Sequence, residues 1–230
     1  MSEYNLTRGE RTRNEIILSA HSLFINQGYH GTSMRQIASA AGIALGSLYN
    51  HFSSKEEVFH AVFLEYHPYK KVIPAIAAAK GDSVEQFVNN ALDQMIAIMQ
   101  ERPDFMNLLF IELVEFKSQH AHQLLSIIMP QVTPIILDVL QNYRDKLRPI
   151  PPLILMRTFL GLFFAYYLTE IVFAPQAPPE YRENAKEYFI NIFLEGILKN
   201  LEEDSDIRVN TTEDFNKEKS IEGGSQFSSD

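Results

Sequence analysis

A run of small and hydrogen-bonding side chains, residues 44–51, follows a glycine at position 42. Apolar residues before that glycine share one face of a short helix, and Ile43, Leu48 and Phe52 share one face of a second. Gly42 supplies the backbone freedom that ends the first helix and turns the chain. Two short helices joined in this way can place hydroxyl, amide and methyl groups against base edges in the major groove of DNA.

The flanking segments predict helices that hold this unit in place. Residues 11–27 carry a stripe of apolar side chains, and Gly28 follows as a stop signal. Thr32 or Ser33 can cap the helix before the turn. After the second helix, the sequence Ser53-Ser54-Lys55-Glu56 has the pattern of a capping box and predicts a fourth helix to about residue 66.

Over about residues 10–64 the chain resembles the TetR family of bacterial transcriptional regulators. The segments that carry the resemblance are Ile16-Ile17-Leu18-Ser19-Ala20, Phe24, Gly28-Tyr29, Thr32-Ser33-Met34-Arg35-Gln36-Ile37-Ala38, Ala41-Gly42-Ile43, Gly46-Ser47-Leu48-Tyr49, His51-Phe52 and Ser54-Lys55-Glu56. The resemblance implies an all-α chain, with an N-terminal three-helix helix-turn-helix DNA-binding domain followed by a helical ligand-binding and dimerisation domain. Ala44-Leu45 depart from the polar pair that similar proteins often have, so the usual serine cap and basic side chain are missing.

The resemblance also implies roles for the residues of the motif. Gln36, Ser47 and Asn50 are expected near base edges, whereas Tyr49 and His51 are expected on phosphates. Core packing is the alternative role for Tyr49 and for His51. Leu45 is expected to contact a thymine methyl group. The complete set of predicted DNA-contact residues is Thr32, Ser33, Arg35, Gln36, Ala44, Leu45, Gly46, Ser47, Tyr49, Asn50, His51 and Lys55.

Breaks in the sequence divide the chain into four expected parts. Residues 1–53 form the DNA-binding domain, 54–67 the connecting fourth helix, 68–201 the ligand-binding and dimerisation domain, and 202–230 an acidic, disordered tail. Within the third part, prolines are expected to interrupt the helical pattern. The expected interruptions lie at Pro68 and Pro74, and at Pro130 and Pro134 within a helix over about 120–144.

The net charge of −9 is distributed unevenly along the chain. Residues 202–230 hold nine acidic and three basic side chains, whereas residues 1–67 hold six and five. The DNA-binding part therefore has no basic surplus, and phosphate contact must rely on a few cations, hydroxyls and helix N-termini. We expect a modest dependence of DNA binding on salt concentration. The cations concerned are Arg8, Arg11, Arg35 and Lys55.

The apolar run 153–173 is long enough to cross a membrane. Arg157 and Glu170 lie within it and would be costly in lipid, so a partly buried helix of a helical bundle is expected, with no membrane partner. A final helix is expected to end near residue 201. The resemblance implies that these last two helices form a homodimer, with Gly161 and Gly196 permitting close crossing; closure of the monomer core is the alternative.

Methionine and aromatic residues are unusually frequent in the middle of the chain. Methionine adapts to irregular shapes, so together with the family resemblance this composition indicates a cavity for a small apolar or aromatic effector. Each residue taken singly has core packing as its alternative role. The predicted ligand-binding residues are Met95, Met99, Met106, Phe110, Phe159, Phe163, Tyr166 and Tyr167.

Other functions find less support in the residues. Glu112, Glu115, His120 and His122 fit no strong metal-binding spacing, and both histidines are expected at an exposed helix start. His30, His60 and His67 are expected to be surface histidines. No nucleophile elbow or phosphate loop indicates an enzyme, and no cofactor is implied.

The chain contains no cysteine, which excludes disulfides and thiolate metal sites. Its polar first ten residues do not resemble a secretory signal, so a cytoplasmic protein is expected. The favoured function is a dimeric regulator, most often a repressor in such proteins, that an effector releases from a near-palindromic operator. The alternative function is a helical lipid or small-molecule binding protein without a DNA role.

Overall fold

A computed structural model describes residues 6–172 and 176–199, and the predicted tail 202–230 lies outside this part of the chain. The described residues form helices and contain no β-strand, which confirms the all-α prediction. The helices are α1 (Arg8–Gly31), α2 (Met34–Ala40), α3 (Leu45–Tyr49), α4 (Lys55–Tyr66), α5 (Tyr69–Ala78), α6 (Val84–Gln100), α7 (Phe105–Glu115), α8 (Gln119–Tyr143), α9 (Pro152–Val172), α10 (Pro179–Arg182) and α11 (Ala185–Ile197).

Helices α1 to α4 form the amino-terminal head. Thr7 begins α1 through a capping box with Glu10, whose carboxylate accepts hydrogen bonds from the Thr7 amide and hydroxyl at 2.8 Å each. Gly28 kinks the last turn of α1 because its φ of 74° lies in the left-handed region that favours glycine. The apolar stripes of these helices meet in one core. Its buried residues include Ile16, Ala20, Phe24, Ile37, Leu48, Phe52, Val58 and Phe59.

Helices α5 to α11 form the second part, which packs against α1 and α4 through α7. Within it, α9 packs on α11, α6 and α8. A short backbone tie joins the end of α8 to the end of α11: the Arg148 amide donates to the Ile197 carbonyl at 2.8 Å and the Lys199 amide to the Lys146 carbonyl at 3.0 Å. The tie closes the helical bundle at the end of its last helix.

The prolines interrupt the helices less than expected. Pro68 stands at the N-cap of α5 and Pro74 lies inside that helix. The sequence predicts a kink or a split at Pro130 and Pro134, but both lie inside α8, which continues through 25 residues and is not split. A proline in a helix costs roughly 3 kcal/mol. Both prolines are exposed, and α8 contacts α5, α7 and α9.

A buried carboxylate organises the turn between α7 and α8. Glu112 is fully buried, and its Oε1 accepts hydrogen bonds from the amides of His120 and Ala121 at 2.7 and 3.0 Å. Its Oε2 lies 2.8 Å from His120 Nδ1. Glu112 therefore caps α8 from the preceding helix, across a turn in which Lys117 and Ser118 have positive φ. The sequence predicts His120 at an exposed helix start, and this prediction is wrong because His120 is only 7% exposed.

Two of the helices, α8 and residues Pro152–Ile171 of α9, are long and apolar enough to cross a membrane by length and composition. Such segments also occur in soluble helical proteins and are weak evidence for a membrane span. Arg157 and Glu170 of α9 are both exposed along that helix, where a lipid environment would leave their charges uncompensated.

Replacing Glu112 by alanine should destabilise the protein strongly. The substitution would leave the His120 ring and two helix amides buried without their acceptor, which typically costs about 3–5 kcal/mol when one partner of a buried ionic pair is removed. Urea unfolding of the full chain measures this loss, with Glu195→Ala on the exposed side of α11 as control. A loss below about 1 kcal/mol would show that Glu112 does not hold the turn together.

Candidate functional site

The turn between α2 and α3 has the geometry that the motif predicts. Ser33 caps α2, its hydroxyl donating to Gln36 Oε1 at 2.7 Å while the Gln36 amide donates back to Ser33 Oγ at 3.3 Å. Gly42 has a φ of 67°, and the Ile43 amide donates to the Ala38 carbonyl at 3.0 Å. Ala44 stands at the N-cap of α3 without a polar side chain. Local backbone bonds therefore set the angle between α2 and α3.

The predicted DNA-contact residues divide by exposure. Tyr49 is 50% exposed, although its neighbour Leu48 is fully buried, so Tyr49 does not fill the core. The partly buried members of the predicted set are Leu45, Ser47 and His51. The exposed members are Ser33, Arg35, Gln36, Ala44, Gly46, Tyr49 and Asn50.

Two predicted contact residues point into the protein. Thr32 is buried, and its hydroxyl donates to the Gly28 carbonyl at 2.8 Å. Lys55 donates from Nζ to the carbonyls of Tyr29 and Thr32, both at 2.8 Å, and lies 4.2 Å from the centre of the Tyr29 ring. Burial lowers the pKa of Lys55, against the attraction of Glu115. These side chains hold α4 to the end of α1, and so they position α3, which precedes α4, indirectly.

Arg13 is a cation that lies beside Phe52, just after α3, and it was not among the predicted DNA-contact residues. It lies on α1, is exposed, and its guanidinium is 4.9 Å from the centre of the Phe52 ring. The spacing of α1 places Arg13 off the apolar stripe but does not say which neighbour it faces. The missing information is the packing of α1 against the residues that follow α3.

An aromatic cluster joins the head to the second part of the chain. Phe116, at the end of α7, lies 4.9 Å from Tyr29 and 4.8 Å from Phe59 between ring centres. Phe59 in turn contacts Phe24 of α1 at 5.5 Å. Through this cluster, α4 touches the core of the head and the α7–α8 turn at the same time.

Histidine–carboxylate pairs surround that aromatic cluster. His21 of α1 lies 2.6 Å from Asp104 and stacks on Tyr66 at 3.5 Å, and His30 lies 2.6 Å from Glu115. Burial lowers the pKa of His21, although Asp104 acts in the opposite direction. Each pair links the head to α7 or to the residue before it.

His60 of α4 also lies where the head contacts the second part of the chain. It stacks on His120 at 4.7 Å, and its Nε2 is buried with no hydrogen-bond partner in the described residues. Burial lowers the pKa of His60, and the neighbouring His120 lowers it further. The expected surface position is therefore wrong for His60, which lies in the contact between α4 and α8. The expectation holds for the side chain of His30, which is 76% exposed.

A cavity of about 400 Å³ lies in the second part of the chain, within the size range of small-molecule sites. Residues of α4, α5, α6, α7, α8 and α9 line it, and their side chains are almost entirely apolar. Lining residues contributed by α8 include Leu124, Leu125, Ile128, Met129, Val132, Ile135, Ile136 and Val139. One wall is thus formed by an unbroken helix, and another by the end of α4.

The family model for bacterial regulatory proteins of the tetR family matches residues 16–62, the segment that contains the helix-turn-helix and most of α4. Over this segment, the chain is similar to the TetR family. Curated relatives match short stretches of the chain. The HTH-type transcriptional activator FasR of Mycolicibacterium smegmatis is 44% identical over 57 residues, 25% of this chain and 26% of the relative. The transcriptional repressor KstR2 of the same species is 41% identical over 54 residues, 24% of this chain and 26% of the relative.

The match to these curated relatives therefore spans about a quarter of their length. A solved structure extends the likeness of fold to most of this chain. A TetR-family transcriptional regulator from Mesorhizobium loti, described as putative, superposes with a TM-score of 0.64 and 21% sequence identity, covering 84% of this chain and all of its own. The helical fold is therefore shared over most of this chain.

The lining of the cavity contains half of the predicted ligand-binding residues. Met95, Met99, Phe159 and Phe163 line it. Phe110 is 48% exposed on α7, and Met106 is buried outside the lining. Tyr166 and Tyr167 also lie outside the lining; the Tyr167 hydroxyl donates to the Met99 carbonyl at 3.4 Å. The long apolar pattern of α8 could have identified this helix as one wall of the cavity, whereas the methionine and aromatic composition did not.

His67 is a cavity residue that the sequence analysis placed wrongly on the surface. It follows α4 directly, and burial lowers its pKa to about 4. A histidine beside a proline gives no sequence signal for burial, because the bend at Pro68 decides which way the ring turns. Elsewhere in residues 6–172 and 176–199, no group of three or more histidine or acidic side chains could hold a metal ion.

Proposed function

We propose that this TetR-family chain is a dimeric, ligand-responsive DNA-binding transcription regulator, which leaves a near-palindromic operator when a small apolar or aromatic molecule binds. The observation that carries the proposal is the exposed polar face of α2 and α3, with Tyr49 half exposed beside the buried Leu48. A side chain of that size has no packing role at this position. The cytoplasm is the compartment in which such a protein meets its operator.

In this proposal, α3 enters the major groove and the flanking residues hold the phosphates. Ser47 and Asn50 lie near base edges, and Gln36 offers its amide NH₂ because its Oε1 is engaged with Ser33. Tyr49 and His51 contact phosphate oxygens. Leu45, partly buried at the start of α3, meets a thymine methyl group. Lys55 and Thr32 contribute by fixing the surface rather than by touching DNA.

The effector is proposed to act through α4. One end of that helix contributes Phe63 to the cavity, and the other contributes Val58 and Phe59 to the core of the head. A ligand that fits the cavity better in one position of α4 shifts the population toward that position. Rotation of the heads then changes the spacing of the two recognition helices, which must match one DNA turn of roughly 34–36 Å.

The dimer is proposed to form through α9 and α11. These helices pack against each other and leave apolar side chains outside: Tyr188 is 66% exposed, Ile192 72% and Ile171 51%. Gly161 and Gly196 both face open space in the described part of the chain, so a second helix can approach closely. Two such helices from each subunit make a four-helix interface.

Repression is the proposed direction of regulation. Relatives that match about a quarter of this chain include both an activator, FasR, and a repressor, KstR2, so the direction does not follow from that match. A second candidate function is a helical binding protein for small apolar molecules without a DNA role, which the cavity alone favours. The two functions differ in one observable property, namely binding to duplex DNA.

Selection from a random duplex library with the full chain should enrich a near-palindromic sequence. Tyr49→Ala should lose at least about tenfold in affinity for that sequence, since it removes a phosphate contact from each subunit. Val114→Ala, which trims a residue 71% exposed on α7, should bind like the wild type. Failure to enrich any sequence with ligand-free protein would favour the binding protein without a DNA role.

Ile192→Lys should dissociate the dimer, because it places a charge in the centre of the proposed four-helix interface. Sedimentation velocity measures the change as a shift from dimer to monomer at micromolar protein. Val114→Lys adds the same charge at an equally exposed site on α7 and should stay dimeric. If Ile192→Lys also sediments as a dimer, the interface lies elsewhere.

A further inference from the structure

The cavity lining has very little hydrogen-bonding capacity. Among the residues that the structure describes, His67 and Tyr69 are the polar side chains of the lining, and no charged side chain belongs to it. Lys71, on the same helix as Tyr69, points away and pairs with Glu101 at 2.6 Å. A molecule that binds in the cavity must therefore be apolar over most of its surface, with polar groups only at the end near His67 and Tyr69.

The structure fixes the hydrogen-bonding state of His67. Its Nδ1 accepts a hydrogen bond from the Tyr69 amide at 3.1 Å, so the proton of the neutral ring resides on Nε2. The ring packs edge-on against Phe105 at 4.9 Å and Phe63 at 5.7 Å, which holds its orientation. With a pKa of about 4, the ring is neutral at physiological pH. Nε2–H is then a donor without a partner in the described residues.

We propose that the effector is an uncharged, largely apolar molecule with one hydrogen-bond acceptor, such as a ketone or ester carbonyl, which receives the Nε2–H of His67. The proposal deepens the function proposed above and rests on it. His67 acts as the specificity-determining residue of the cavity. The carbonyl would satisfy the unpaired Nε2–H donor, while the body of the molecule covers the methionine and aromatic walls.

A carboxylate fits the same cavity poorly. Burying an ionised carboxylate without a cation is costly, and the lining offers only a neutral donor. The acid could bind only if His67 took up a proton at a buried position where the charged ring is disfavoured. An apolar hydrocarbon without an acceptor would fill the walls but leave Nε2–H unpaired.

The position of His67 also connects a bound ligand to α4, the helix that the proposed mechanism moves. The ring follows the last turn of α4, whose residue Phe59 contacts Phe116 of the α7–α8 turn. A hydrogen bond made at His67 therefore acts on the end of the helix that the proposed mechanism moves. Recognition of the acceptor and displacement of α4 would occur at the same residue.

Competition with a fluorescent apolar probe tests the proposal on the full chain. N-phenyl-1-naphthylamine reports occupation of the cavity by its own fluorescence, and 2-undecanone and undecanoate compete as carbonyl and carboxylate of equal chain length. The ketone should displace the probe at a concentration about tenfold lower than the acid. His67→Phe, which keeps a ring but removes the donor, should weaken the ketone about five- to tenfold.

Matched variants separate the donor from the shape of the cavity. His67→Gln retains a donor and should recover part of the ketone affinity, whereas Val114→Ala, at an exposed site of α7 outside the lining, should leave it unchanged. Direct titration of the probe into each variant separates the loss of the ketone contact from a change in the cavity itself. Equal displacement by acid and ketone, or an unchanged ketone affinity in His67→Phe, would overturn the proposal while leaving the cavity intact. Absence of probe binding to the wild type would instead remove the ligand site of the proposed function and this inference with it.

Discussion

The contact between α4 and the α7–α8 turn is the constraint on which the rest of the structure depends. Phe116 enters between Tyr29 and Phe59, and the buried Glu112 holds His120 against the same surface. Together with the packing of α7 on α1, this contact joins the core of the head to the helical bundle. With it, α4 cannot shift at the cavity without disturbing its packing in the head.

The composition of this boundary has a physical consequence. Buried polar groups are favoured when they find a partner, and several groups at this boundary do, although His60 Nε2 has none in the described residues. The partners here come from different parts of the chain, as in His21 with Asp104 and His30 with Glu115. Such pairs are directional, and they favour a small number of defined positions of the head over a continuous range.

Local signals explain why the helix-turn-helix could be predicted from the sequence. The capping pair Ser33 and Gln36 and the left-handed Gly42 act within a few residues, so their patterns survive without knowledge of the fold. Lys55 and Thr32 show where that approach stops. Their types suit DNA contact, but packing of α4 on α1 turns both side chains toward backbone carbonyls.

The second part of the chain was less predictable because its contacts join residues that are far apart in the sequence. His120 lies at a helix start that looks exposed, yet Glu112 eight residues earlier buries it. The prolines of α8 predicted a kink or a split, yet the helix continues through both of them. Composition indicated a cavity and identified Met95 and Phe163, but missed His67, whose burial depends on how α5 follows α4.

The distance between the two heads of the proposed dimer tests the central claim most directly. Because the chain has no cysteine, Ser39→Cys places one spin label on the exposed end of α2 in each subunit. Double electron–electron resonance should show that saturation with 2-undecanone shifts the distance distribution away from that of the operator-bound dimer. A distribution that stays unchanged while the ketone displaces the fluorescent probe from the cavity would contradict coupling through α4.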